Sequence, residues 1–430
     1  MNVLIIGSGG REHAIAKAIR KSKKVTRVFV SPGNAGIEQV AKCVDIDFNS
    51  IYDVVEFLRI NNIHFVIIGP EQYIANGLAD ELRLWHYVVF APSQISAKLE
   101  SSKIFAKQFM KENNIPTANY INFKNKELNK AVEYINNING KIVLKVDGLA
   151  AGKGVIVTDD KDYAVQSLKD IFGGKFGSAG NNVVIEEFLE GEEASVLAIC
   201  DGKNFVCLPP AQDYKRIGDN DTGPNTGGMG AYCPVSIVTS EVLDKIKNKI
   251  IIPTLEGMNA SGHPYIGCLY VGLMIKDGEP KVVEYNCRFG DPETQAILSI
   301  FEGDLFELLH TAAVGEINFS AYNEKATMKK TACCVIVASK GYPEAFDTGY
   351  TINGLCDINT NDIIIYHSGT KNNMVDILTA GGRVLGVTGI SKNIKFAAEK
   401  AYNNVSKIQF ENIYYRTDIA QKEIKRLSNL

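Results

Sequence analysis

The sequence has no long hydrophobic run, no cysteines at metal-binding or redox spacing, one tryptophan and no excess of positive charge. Each absence excludes something. No apolar stretch approaches the roughly 18 residues that a bilayer-spanning helix needs, so no transmembrane segment is expected. The first strand-like run, residues 3–6, starts almost at Met1. No basic stretch, apolar core and small-residue cleavage site precedes it, so no secretory signal is expected. The nine cysteines lack any Cys-x-x-Cys spacing, and Cys333 and Cys334 are adjacent in an apolar run. They read as buried free thiols of a chain in the reducing cytoplasm. The six histidines form no His-Glu-x-x-His pair, so no zinc site is indicated. A formal charge of -3 and a pI near 6.1 argue against a general nucleic-acid surface.

What is present is an ordinary globular composition, 45% hydrophobic and 22% charged over 430 residues. That length allows roughly two to four domains. Residues 3–6, 25–30, 65–68 and 88–91 read as strands. Helices at 12–21, 52–61 and 75–84 lie between them, a pattern that predicts a parallel, doubly wound sheet. Each strand ends in a glycine- or proline-bearing loop, and ligands of such sheets bind at those ends. The first loop is not a dinucleotide fingerprint, because position 12 is Glu12 and Ser31-Pro32 follow the second strand where an acidic residue is expected. Its amides, at a helix start, could still hold one phosphate.

Beyond residue 98 the pattern changes. Helices at 101–113 and 126–138 lead into strands at 142–146, 155–157 and 183–188. Longer strands follow at 196–200, 205–208, 268–275 and 282–287, joined by hairpin-like turns, so this part reads as mixed and largely antiparallel. The tail carries strands at 332–338, 363–368 and 384–388 and a helix at 395–402. The pattern divides the chain into an N-terminal Rossmann-like sheet domain at 1–100, a mixed α/β and α+β part at 101–325 and a small α+β domain at 326–430.

Four segments carry chemistry. Glu284, Asn286 and Arg288 alternate on one strand, so they share a face, with Cβ atoms about 7 Å apart. Val283, Tyr285 and Cys287 are expected on the core side. Carboxylate and amide oxygens are hard ligands for Mg²⁺, and arginine pairs bidentately with phosphate or carboxylate. The loop from Lys145 to Val155 is not a Walker A motif, since Asp147 and Gly154 occupy required positions. Its small residues could nonetheless lay amides over phosphates. The acidic connector 185–193 suits an adenine and ribose contact, although a charged surface hinge would look the same. The polar segment 213–230 is too glycine-rich for core, and such loops in compact domains usually serve function.

Together these segments resemble the ATP-grasp superfamily and, within it, the phosphoribosylamine–glycine ligase family. The pieces that carry the resemblance are GGREHA (9–14), SPGNAG (31–36), GPE (69–71), KVDGLAAGKGV (145–155), IEEFLEGEEAS (185–195), GDNDTGPNTGGMGAY (218–232), EYNCRFGDPETQ (284–295) and GGRV (381–384). The resemblance, and it alone, implies that the middle part at 101–325 is two-lobed, with a mobile lid lobe near 122–188. It implies ATP-dependent joining of glycine to 5-phosphoribosylamine through glycyl phosphate, with Mg²⁺ or Mn²⁺. It implies that Lys103 and Lys145 contact phosphates under a lid of Gly152, Lys153 and Gly154. Glu186, Glu187 and Leu189 would serve adenine, and Glu193 the ribose. Glu284 and Asn286 would hold the metal, while Arg288, Lys145 and Asp213 would be catalytic. Gly9, Gly10, Asn34, Glu71, Asp213, Lys215, Arg288, Asp291, Pro292 and Glu293 would meet glycine and the phosphoribosyl group. Partners are expected to be these small molecules, with neither nucleic acid nor membrane, for a monomer or weak dimer. Three positions depart from the family pattern. The strand before Glu284 offers no acidic ligand between Tyr270 and Met274, Tyr214 stands where relatives commonly carry His, and Ala420 replaces a usual glycine. The rival readings are another ATP-grasp ligase or carboxylase, and a non-catalytic nucleotide-binding regulator.

Overall fold

A computed structural model describes residues 1–149, 154–358 and 361–429. The first sheet has five parallel strands, in the order Lys42–Cys43, Arg27–Pro32, Asn2–Gly7, Ile63–Ile68 and Val88–Phe90. Leu4, Ile5, Ile6 and Val66 are completely buried, as expected of strands covered on both faces. The helix expected at 75–84 is two short ones, Glu71–Ala75 and Leu78–Leu84. Gly77 between them has a φ of 87°, a left-handed conformation that interrupts the helix.

Two antiparallel sheets follow. One has the order Tyr120–Lys124, Asn182–Glu187, Ile142–Val146, Val155–Thr158, backed by helices Leu128–Asn137 and Lys161–Asp170. It closes over its own apolar cluster, which includes Ile135, Leu144, Leu168 and Ile185. The other has the order Phe205–Cys207, Glu192–Asp201, Ile266–Lys276, Glu279–Asn286.

The last sheet draws on two distant parts of the chain. Its path runs Gln212–Asp213, Gly230–Cys233, Thr331–Ser339, Arg383–Ser391, Ile363–His367, with Ile413–Tyr414 also paired to Thr331–Ser339. The polar segment 213–230, read as a loop, is therefore built of short strands. Arg216–Gly218 and Thr222–Asn225 form a hairpin, and the segment's two ends join the C-terminal sheet, Gln212–Asp213 at its edge and Gly230–Cys233 next to it.

All nine cysteines are free; six are buried, and Cys356 is exposed. Among the described residues, no helix is long and apolar enough to cross a membrane.

The first and last units meet at two buried histidines. The backbone amide of His367 donates to His13 Nδ1 at 2.9 Å, and the side-chain amide of Asn34 donates to the carbonyls of Ser8 and His367. Burial pushes His13 down to about 3, helped by His367 and Lys17, and pushes His367 down to about 4. Both are neutral in the folded chain and titrate near 6.5 once unfolded. Between those limits the unfolded state binds more protons, so stability is full above pH 6.5 and falls as pH drops towards 4. The expected slope is about 1.4 kcal/mol per pH unit for each histidine. Urea unfolding of His13→Gln, followed from pH 7 to 4.5, should show a shallower decline than the parent chain.

Candidate active site

The strand Glu279–Asn286 pairs with Ile266–Lys276, and its register slips once: Leu273 faces Val282, whereas Gly272 faces Glu284. Val283 is the extra residue of this bulge, so it is half-buried and not on the core face. Val282, Tyr285 and Cys287 point inward, while Glu284, Asn286 and Arg288 line the partly open side. The bulge also frees the Val283 carbonyl, which accepts a hydrogen bond from Lys145 Nζ at 3.0 Å. One irregular residue thus ties the expected phosphate lysine to the expected metal strand.

Around Glu284 the charges alternate. Lys215 Nζ lies 3.9 Å from Glu284 and 3.0 Å from Glu193. Burial alone would push Glu284 up, but Lys215, Lys103, Lys145 and Arg288 hold its carboxyl below the usual range. Asp213 behaves oppositely. Burial pushes it up to about 8 against the pull of Lys215, with Glu293, Glu193 and Glu284 adding to the rise. Two carboxyl groups in one cleft are thereby set apart, one ionised and one able to carry a proton.

Arg288 is clamped between two acids, with Nε 3.1 Å from Glu71 and an Nη 3.2 Å from Glu100. Glu100 is buried and also accepts from the Cys287 amide at 2.7 Å. Burial raises it, partly offset by Arg288. Glu71 is pushed up by burial but held lower overall by Arg288 and Arg11.

The 289–293 turn is fixed from three sides. Arg383 donates to the Asp291 carbonyl at 2.9 Å and to the Gly227 carbonyl at 2.5 Å, and its cation lies 3.3 Å from the Asp291 carboxylate. Arg11 donates to the Phe289 carbonyl at 3.1 Å. Glu293 is buried and accepts from Tyr270 at 2.8 Å. Pro292 packs against Gly228, whose φ is 108° and where an added Cβ would lie 2.4 Å from the proline ring. Gly10 is similarly constrained, since a Cβ there would meet Gln295 at 2.5 Å.

The first glycine turn is less open than expected. The Gly9 amide donates to Glu12 at 2.7 Å, and the Arg11 amide to Asp291 at 3.4 Å. A phosphate at this helix start has to displace those carboxylates. Asn34 is engaged as well: besides its two donated bonds, its oxygen accepts from the Gly36 and Ile37 amides.

On the nucleotide side, Lys107 and Lys145 both contact the same Glu186 oxygen, at 2.9 and 3.0 Å. All three side chains are buried, and the second Glu186 oxygen has no partner among the described residues. Glu187 turns elsewhere, accepting from the Asn119 amide at 3.1 Å, and Leu189 is half-buried beside it. Lys103 donates to the Glu100 carbonyl at 3.1 Å. Asp147 caps the helix Lys103–Glu112 through Ser102 and the Ile104 amide. Gly154 immediately precedes the return strand Val155–Thr158, with its carbonyl accepting from the Val146 amide at 2.9 Å. The lid positions Gly152 and Lys153 lie outside the described residues.

Sequence reasoning missed Glu100, Lys107, Tyr270 and Arg383 as members of this assembly. Arg383 lay inside the GGRV motif and Lys107 one helical turn after Lys103; Glu100 and Tyr270 carried no local signal.

Residues 1–100 match the phosphoribosylglycinamide synthetase N domain, 101–294 its ATP-grasp (A) domain and 332–422 its C domain. A phosphoribosylamine–glycine ligase of Neisseria meningitidis serogroup A is 46% identical over 99% of this chain and 100% of its own length. The bifunctional purine biosynthetic protein PUR2,5 of Pichia angusta is 45% identical over 99% of this chain, which spans 54% of that longer protein. The crystal structure of phosphoribosylamine–glycine ligase from Thermotoga maritima superposes with a TM-score of 0.84 at 35% identity, covering 97% of this chain and 100% of that one. Three matching domains in order, and near-complete overlap with single-function ligases, place this chain in the phosphoribosylamine–glycine ligase family of ATP-grasp enzymes.

Proposed function

We propose that the chain joins glycine to 5-phosphoribosylamine, converting ATP to ADP and phosphate and forming glycinamide ribonucleotide, a step of de novo purine biosynthesis. A carboxylate is a poor acyl donor, so a glycine oxygen first attacks the γ-phosphorus as its bond to ADP breaks. The amine of phosphoribosylamine then adds to the carbonyl carbon of glycyl phosphate, and the C–O bond to phosphate breaks. Both steps need positioning and charge neutralisation more than covalent help from the protein.

The observation that carries this reading is the shared face of Glu284, Asn286 and Arg288, with Lys215, Lys103 and Lys145 acting on Glu284. Lys145 and Lys103 steady the phosphates, Arg288 meets the developing acyl phosphate, and Asp213 takes the proton that the attacking amine sheds. Lys215, with the Asp291–Glu293 turn, Glu71, Gly9, Gly10 and Asn34, forms the wall towards glycine and the phosphoribosyl group. Glu186, whose second oxygen has no partner among the described residues, and the main chain of Glu187 to Leu189 face adenine, and Glu193 the ribose. Gly152, Lys153 and Gly154 close over the phosphates.

ATP-grasp enzymes use ATP with a divalent metal ion. The donors on this strand fit one, because Glu284 is held ionised and both its oxygens and that of Asn286 are hard ligands. Among the described residues no group of three or more His, Cys, Asp and Glu side chains gathers as a metal cage, so phosphate oxygens would complete the shell. When bound, Mg²⁺ or Mn²⁺ would supply positive charge to offset the phosphate negative charge during transfer. We place the enzyme in the cytoplasm as a monomer or weak dimer acting on small molecules.

The test is ADP release in steady state with each reactant omitted in turn. Turnover should require glycine, phosphoribosylamine and Mg²⁺ or Mn²⁺ together, whereas unchanged turnover without glycine would assign the site to another acid.

A further inference from the structure

Arg416 is fully buried, which is rare for this residue type, and it lies in the C-terminal segment outside the cleft. Its guanidinium pairs with Asp418 through two bonds of 2.7 Å. It also donates to Asp221 at 3.0 Å and to the carbonyl of Arg216 at 2.9 Å. The guanidinium lies over the Tyr214 ring, with its carbon 4.7 Å from the ring centre. Tyr214 is itself buried, and its backbone pairs with Gly230 and Met229. Its two sequence neighbours are Asp213 and Lys215, the residues that face Glu193 and Glu284.

Further bonds hold the same hairpin. The Asn220 amide donates to Asp418 at 2.9 Å, the Thr417 amide to Asp219 at 2.8 Å, and Tyr414 to the Ile217 carbonyl at 2.9 Å. The tail is anchored in turn by Ile413–Tyr414 on the C-terminal sheet. Asp213 and Lys215 therefore sit on a short edge segment whose outer side is gripped by residues 414–422. A buried cation over an aromatic ring is among the stronger contacts of its kind, and the fork of an arginine fixes direction as well as distance.

We propose that Arg416 is a positioning residue for the amide-forming site: its stack on Tyr214 sets where Asp213 and Lys215 point, so the C-terminal segment governs how the acyl acceptor and glycine are held. This rests on the function proposed above for Asp213 and Lys215. Arg416 touches no reactant and acts through the Tyr214 ring and through the Arg216 carbonyl and Asp221 of the same hairpin.

The experiment compares Tyr214→Phe, which keeps the ring under the guanidinium, with Tyr214→Leu, which removes it and leaves the arginine's ion pairs. Tyr214→Phe should retain kcat and every KM within about two-fold, while Tyr214→Leu should lose about ten-fold or more in kcat/KM for glycine and phosphoribosylamine. Introducing Tyr214→Leu into a Lys215→Ala background should add little further loss, because the stack acts through that segment. A melting temperature lowered in Tyr214→Leu with kinetic constants unchanged would overturn the proposal, as would equal loss in the phenylalanine and leucine variants or full additivity with Lys215→Ala. If the parent chain showed no glycine-dependent ADP release, the functional assignment itself would fail, and the variants would not be at issue.

Discussion

Replacing Glu284 by alanine is expected to lower turnover by about a thousand-fold or more while leaving the far-ultraviolet circular dichroism unchanged. The side chain lies on the open face of its strand, outside the apolar clusters, and its partner cation, Lys215, keeps Glu193 at 3.0 Å as an alternative partner. The loss therefore falls on function. Without that carboxylate, only Asn286 remains on the strand as a hard oxygen ligand, and four cations face one another without the anion that separates them. Glu284→Gln, which keeps the shape and removes the charge, should be nearly as inactive. Full activity in either variant would remove the metal assignment.

Arg288→Ala should fail in two separable ways. Turnover is expected to drop by about a thousand-fold, because a fixed cation aimed at the acyl phosphate is lost. Stability is expected to drop as well, by about 3 kcal/mol, since Glu71 and the buried Glu100 would face each other unpaired. Adding Glu100→Gln should restore part of the stability measured in urea and none of the turnover. Arg288→Lys should not rescue activity, because an ammonium cannot span two carboxylates as the fork does. Equal recovery of both properties in the double variant would mean that Arg288 is only structural.

The shared face of Glu284 and Asn286 was legible because a strand's period of two is a local property, although the strand ends at Asn286 and Arg288 lies just past it; the N-terminal parallel sheet and the antiparallel character of the middle were legible too. The bulge at Val283 was not, because it exists only in the register against Gly272 and Leu273. Glu100 was unreadable for a related reason: it ends a short helix and acquires meaning only when the Cys287 amide and Arg288 are brought to it. Lys107 looks in sequence like a lysine on an amphipathic helix, yet it is buried on Glu186. The segment 213–230 looked like a loop because its strands are two to four residues long and rich in glycine. Their pairing comes from the C-terminal sheet and from Arg416, both remote in sequence. Asn34 illustrates the opposite limit. Its motif suggested a ligand contact, and its side chain is occupied by four protein bonds.

The central claim is that glycine is activated as an acyl phosphate on this strand, and oxygen labelling tests it directly. With glycine carrying ¹⁸O in both carboxylate oxygens, one labelled oxygen should leave in inorganic phosphate at each turnover, and the other should remain in the product amide. Phosphate free of label, at full glycine-dependent turnover, would contradict the account, because the carboxylate would then never have been bonded to phosphorus.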